Sequence, residues 1–213
     1  MFPLGDASRR ITGIPFVTVA LIAINAVVFY FELTQGERFI TQWSLVPAQI
    51  AHQQRLETIV TAMFMHGGWM HIIGNMIFLW AFGPQMEGVM GPSRYLIFYL
   101  LGGVAAFAAQ IVADPASTVP NLGASGAIAA VMGAFLVIFP RDQIRTLIFA
   151  GVFARVVYLP AILLIGLWFL LQVASINMEH AQGEAAGGVA YLAHIGGAIF
   201  GAITAKLFER RGG

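Results

Sequence analysis

Six apolar runs divide the chain, and they restrict its fold more than any other feature. They cover about Ile14–Leu33, Trp69–Phe82, Tyr95–Val112, Ser125–Phe139, Leu159–Ile176 and Val189–Ala205. A hydrocarbon core of about 30 Å asks for roughly 20 apolar helical residues, so these runs read as transmembrane helices. With 59% hydrophobic and only 10% charged residues among 213, a soluble domain could not bury so much apolar surface. The expectation is an all-α fold: a polytopic membrane bundle of six transmembrane helices, forming one domain over residues 1–213 with no internal repeat or linker.

The first run is too long for a signal-peptide core and lacks a small-residue cleavage pattern, so it reads as a retained span. The second is short, and is predicted to begin earlier, near Met63. The stretch from Leu147 to Ile176 is too long for one untilted crossing. Arg155 and Pro160 predict an interfacial piece from Leu147 to Tyr158 that leads into the fifth span. With six spans, nine basic residues fall on one side: Arg9, Arg10, Arg94, Arg141, Arg145, Arg155, Lys206, Arg210 and Arg211. Only Arg38 and Arg55 fall on the other, which puts both termini in the cytoplasm. The chain has no cysteine, which removes disulfides and thiol chemistry. Its net charge of +1 gives no signal for nucleic acid.

Helical rise converts sequence position into depth. Counted from Phe139, Ser125 lies about 21 Å up; from Lys206, His194 lies about 18 Å up; from Pro84, His71 lies about 20 Å and Asn75 about 14 Å up. Three segments thus put polar groups in one layer. The fourth span is short, and Pro120-Asn121-Leu122-Gly123 takes the place of its outer third. Irregular backbone survives at that depth only inside protein or beside a water-filled cavity. Ala193, Gly197, Gly201 and Ala205 form a small-residue stripe on the sixth span, answered on the fourth by Ser125, Ala129 and Gly133 and by Gly126, Ala130 and Ala134. Such faces let helix backbones approach closely, near enough for Ser125 to reach His194.

A serine hydroxyl becomes a nucleophile when a base accepts its proton, and neutral histidine is the usual base near pH 7. Ser125 and His194 supply that pair. No Asp or Glu is expected inside the spans, so a two-residue dyad is the economical reading. A tetrahedral intermediate needs donors for its oxyanion. The candidates are the Ser125 backbone N–H, the Asn75 side chain and His71, the last two spaced i, i+4 on one helix face. Each feature alone has an ordinary reading: a Gly-flanked serine as packing, a lone histidine or asparagine as an interhelical bridge. Their coincidence at one depth beside broken backbone favours chemistry. His66 and His71 are five residues apart, about 140° around a helix, which suits no metal pair. No metal and no cofactor is expected.

Taken together, His66-x4-His71-x3-Asn75, Gly123-Ala124-Ser125-Gly126 and Ala193-His194-x2-Gly197-x3-Gly201 resemble the motifs of the rhomboid intramembrane serine proteases. The resemblance covers essentially the whole chain and suits a minimal bacterial-type member, an integral protein of the bacterial cytoplasmic membrane. It implies Ser125 as nucleophile and His194 as general base. His71, Asn75 and the Ser125 amide would form the oxyanion hole, with Gly123 beside them. His66 would anchor the long, partly embedded outer loop between helices 1 and 2, from about Thr34 to Thr61. Gly126, Gly197 and Gly201 would be packing residues. Span five and the loop Glu179–Gly188 would form a gate and cap, with Gly183, Gly187 and Gly188 suited to motion. Two departures stand out. Ala129 occupies the place, one turn after the nucleophile, where some members stack an aromatic on the histidine. Ser44 follows Trp43 where some members carry a Trp-Arg pair.

The implied activity is intramembrane endopeptidase cleavage of single-span membrane proteins near the outer face, at small residues in locally unwound segments, within the lipid bilayer. Two rivals are a catalytically silent rhomboid-like protein that binds and escorts membrane helices, and a small transporter. Retention of both Ser125 and His194 speaks against the first. The second lacks an intramembrane carboxylate or an inverted repeat.

Overall fold

A helix coincides with the greater part of each apolar run. The computed structural model of the chain describes residues 1–9, 13–150, 153–182 and 191–210. In chain order its elements are β1 (Phe2–Asp6), α1 (Phe16–Gln35), α2 (Glu37–Trp43), α3 (Pro47–Ala51), α4 (Thr58–Thr61), α5 (Trp69–Met90), α6 (Pro92–Ala113), α7 (Ser125–Ile138), β2 (Gln143–Ala150), β3 (Phe153–Pro160), α8 (Ala161–Gln182) and α9 (Tyr191–Phe208), with a short 3₁₀ helix at Ala62–Phe64. Among the described residues three helices, α1, α6 and α9, are long and apolar enough to cross a membrane; α7 and the first part of α8 are apolar but shorter.

Helix α7 is the hub. Every residue from Gly126 to Phe135 is buried, as expected of a helix that is apolar on all sides. Its closest neighbour is α9. A Cβ built on Gly201 would lie 1.9 Å from the Ala130 carbonyl oxygen, one on Gly197 2.2 Å from that of Gly126, and one on Gly133 2.2 Å from that of Ala198. The two backbones therefore touch, which only glycine at these positions permits.

Three expectations need correction. First, α5 begins at Trp69 rather than near Met63, because the chain is extended at Met65 and again at Gly68. His66 accordingly lies on a connector and not on the helix. The same helix continues through Pro84 to Met90, so a depth counted from Pro84 starts within it.

Second, the fold is mostly helical but not all-α. Residues expected as an interfacial piece form the β2–β3 hairpin, with Gln143 opposite Pro160 and Ala150 opposite Phe153; β1 joins it antiparallel, Phe2 opposite Leu147. Ile144 and Thr146 are buried while Arg145 between them is exposed. That period of two, with β-branched Ile144, Thr146, Ile148, Val156 and Val157, suits a pleated face rather than a helix.

Third, carboxylates do lie within the long helices, and two of them, Glu87 and Glu32, serve the two ends of α1. Glu87 of α5 accepts from the Val17 and Thr18 amides at 2.9 and 2.8 Å and from the Thr18 hydroxyl at 2.8 Å. It thereby satisfies orphan donors in the first turn of α1. Glu32, in the last turn of α1 and 3% exposed, accepts from the His66 amide at 2.8 Å.

Candidate active site

The site is built where α7 begins. The segment before it has no regular structure, and its polar groups are paired by the connection between α1 and α5. Leu45 and Asn121 exchange backbone hydrogen bonds at 2.9 and 2.6 Å, the Ala48 amide donates to Ser117, and the Gly123 amide donates to Ala62 at 2.8 Å. The irregular backbone is thus satisfied inside protein. Gly123 has φ +127°, a conformation that L residues rarely adopt, and a Cβ there would lie 2.8 Å from His71 Nε2. The chain turns on Gly123 and delivers Ser125 to the first position of α7.

Ser125 Oγ lies 2.7 Å from His194 Nε2. His194 projects from α9 and is 8% exposed. Its other ring nitrogen, Nδ1, lies 2.7 Å from Gln172 Oε1 of α8. Trp168, one turn before Gln172, packs on the imidazole with ring centroids 5.5 Å apart, and Tyr191 meets it edge-on at 6.4 Å. The aromatic absent at Ala129 is therefore supplied by α8.

Across from the pair stands the first half of α5. His71 Nδ1 faces the Gly67 amide at 3.4 Å, while its Nε2 approaches Gly123 and Ser125. Asn75 Nδ2 donates to His66 Nε2 at 2.9 Å. Burial, with help from neighbouring His71, pushes His66 down to about 3, so it is neutral and accepts from Asn75 at ordinary pH. His66 therefore links Glu32 to Asn75. Ser125, His194, Trp168, His71 and Asn75 line a cavity of about 900 Å³, with Met63, Phe78 and Phe107 among its apolar walls.

The arrangement brings together Ser125, His194, His71 and Asn75. The Ser125 N–H, at the first position of a helix, has no intrahelical acceptor. Gly123 shapes the turn, but its own amide is already bonded to Ala62. Gly126 and Gly197 meet at the α7–α9 contact just below, and Gly201 lies one turn further on. Among the described residues no cluster of His, Cys, Asp or Glu could hold a metal ion. The cap expected at Glu179–Gly188, with Gly183, Gly187 and Gly188, lies at and beyond the edge of the described residues. Sequence reasoning missed Trp168 and Gln172. The available signal was a glutamine four residues after a tryptophan in an otherwise apolar run, a spacing that puts both on one helix face.

A family model described as "Rhomboid domain" matches residues 53–211. Over 193 residues, 86% of this chain and 51% of the relative, the chain is 30% identical to "Rhomboid protein 1, mitochondrial" of Saccharomyces cerevisiae. It is 30% identical over 205 residues, 88% of this chain and 57% of the relative, to "RHOMBOID-like protein 12, mitochondrial" of Arabidopsis thaliana. With "Rhomboid protease GluP" of Bacillus subtilis it shares 26% over 201 residues, 92% of this chain and 38% of the relative. The chain spans about half, or less, of the length of these relatives.

Proposed function

The chain belongs to the rhomboid family, and on that premise we propose that it is an intramembrane serine endopeptidase. The observation that carries this reading is the 2.7 Å contact between Ser125 Oγ and His194 Nε2, set among apolar helices beside a cavity that reaches the donors of α5. The polypeptide crosses the membrane six times as a single domain, with both termini on the positively charged side. Its substrates are single-span membrane helices, cut near the outer face where the helix unwinds at small residues.

Ser125 Oγ attacks the scissile carbonyl carbon while His194 Nε2 takes its proton. Negative charge develops on the carbonyl oxygen against the Ser125 N–H, with the His71 and Asn75 side chains as further donors. The imidazolium then protonates the departing amine, leaving an acyl group on Ser125. A water activated by the same nitrogen releases it. The site holds donors before substrate arrives, so little reorganisation is needed at the moment of reaction.

Co-reconstitution in liposomes with a single-span reporter helix, carrying small residues near its outer end, tests the activity. Wild-type protein is expected to cut within the span, with the cut mapped by mass spectrometry, and Ser125→Ala to leave the reporter whole. Equal cutting by Ser125→Ala, or none by folded wild type, would refute the proposal.

A further inference from the structure

We propose that Gln172 is a positioning residue that fixes which nitrogen of His194 carries the proton. The inference rests on the reading of Ser125 and His194 as nucleophile and base. It begins with the amide itself. Gln172 Oε1 faces His194 Nδ1 at 2.7 Å, and Gln172 Nε2 faces the Trp168 carbonyl oxygen at 3.5 Å. A carbonyl oxygen can only accept, so the NH₂ group belongs on the Trp168 side. Reversing the amide would set two carbonyl oxygens against each other. With the oxygen toward His194, Nδ1 must be a donor and carry the hydrogen. In the neutral ring Nε2 then holds the lone pair, 2.7 Å from Ser125 Oγ. In this orientation of the amide the basic nitrogen of His194 faces the nucleophile.

Among the described residues, no other group near the histidine does this. Glu32 bonds to the His66 amide and Glu87 to the first turn of α1. Trp168 and Tyr191 touch the ring through their aromatic systems. His71 lies beside Gly123, with Nδ1 toward the Gly67 amide, and no hydrogen bond joins it to His194. Gln172 therefore occupies the place that a carboxylate fills in three-residue serine hydrolase sites, but as a neutral acceptor. It fixes the tautomer without adding charge to an apolar interior, where an unpaired carboxylate would be costly.

Two substitutions separate the amide's oxygen from its bulk. Gln172→Met keeps length and volume but removes the strong acceptor; Gln172→Glu keeps an acceptor oxygen at the same reach. Nitrogen-15 spectra of histidine-labelled protein in micelles, with His194→Ala to assign the signal, read the tautomer directly and do not depend on activity. Wild type and Gln172→Glu are expected to show hydrogen on Nδ1, and Gln172→Met a mixture. Labelling by a fluorophosphonate probe is expected to slow roughly three- to tenfold in Gln172→Met, the worth of one neutral hydrogen bond, and to recover in Gln172→Glu. An unchanged His194 tautomer in Gln172→Met overturns the inference, as does an unchanged labelling rate. An unlabelled wild type whose tautomer still depends on Gln172 would refute the peptidase reading and leave the positioning role standing.

Discussion

A serine and a histidine 2.7 Å apart do chemistry only if the proton can move from one to the other and the resulting charge has a place to go. Ser125→Ala and His194→Ala should therefore each abolish cleavage of a reporter helix while leaving the thermal midpoint near wild type. In the proposed mechanism Asn75→Ala removes one oxyanion donor, a loss worth about 2.7–4 kcal/mol in the transition state, or roughly a hundred- to a thousandfold in rate. Some cleavage should remain, and single-turnover kinetics would resolve it. Gly123→Ala is the sharpest test of the turn. It forces alanine into φ +127° and sets a methyl 2.8 Å from His71 Nε2. Strain of that kind costs about 1–3 kcal/mol, and displacement of His71 should lower activity further than stability. A variant that keeps wild-type turnover would show that this close approach is unimportant.

At the scale of elements, the site depends on the junction of α7 with α9. Gly201→Val drives a side chain into the Ala130 carbonyl, which lies 1.9 Å from the position of a Cβ. Overpacking typically costs about 1–3 kcal/mol, so the unfolding midpoint in micelles should fall and Ser125 should part from His194. Glu87→Ala acts elsewhere. It strands three donors of the first turn of α1, each costing about 1–3 kcal/mol if left unpaired, and should lower stability while sparing the dyad at permissive temperature. These elements were unequally legible in the sequence. Helix positions followed from apolar runs, because lipid demands them. The β2–β3 hairpin was hidden because Leu147–Tyr158 is apolar enough to pass for a continuation of the next run. The far half of α5 was hidden because Gln85 and Glu87 read as polar edge residues, although both are buried against neighbouring chain. Ser125, His194, His71 and Asn75 could be singled out by residue type, motif and depth. Gln172 offered only its spacing from Trp168, since its partner lies 22 residues away and only packing of α8 on α9 brings them together.

At the scale of the whole molecule, the proposed function requires a particular topology. Nine of eleven Lys and Arg residues fall on one side when six spans are drawn, so the N- and C-terminal ends should share a compartment. The chain has no cysteine, which makes this easy to test. Single cysteines at Ser8 and Glu209 should react with an impermeant maleimide from the same side of sealed vesicles, and one at Gln54 from the other. Labelling of Ser8→Cys and Glu209→Cys from opposite sides would require an odd number of crossings. The most direct test of the central claim is reaction of the purified, folded protein with a fluorophosphonate serine probe. Wild type should be labelled on Ser125, and neither Ser125→Ala nor His194→Ala should be labelled. Labelling that persists in Ser125→Ala, or its absence from folded wild type, would contradict it.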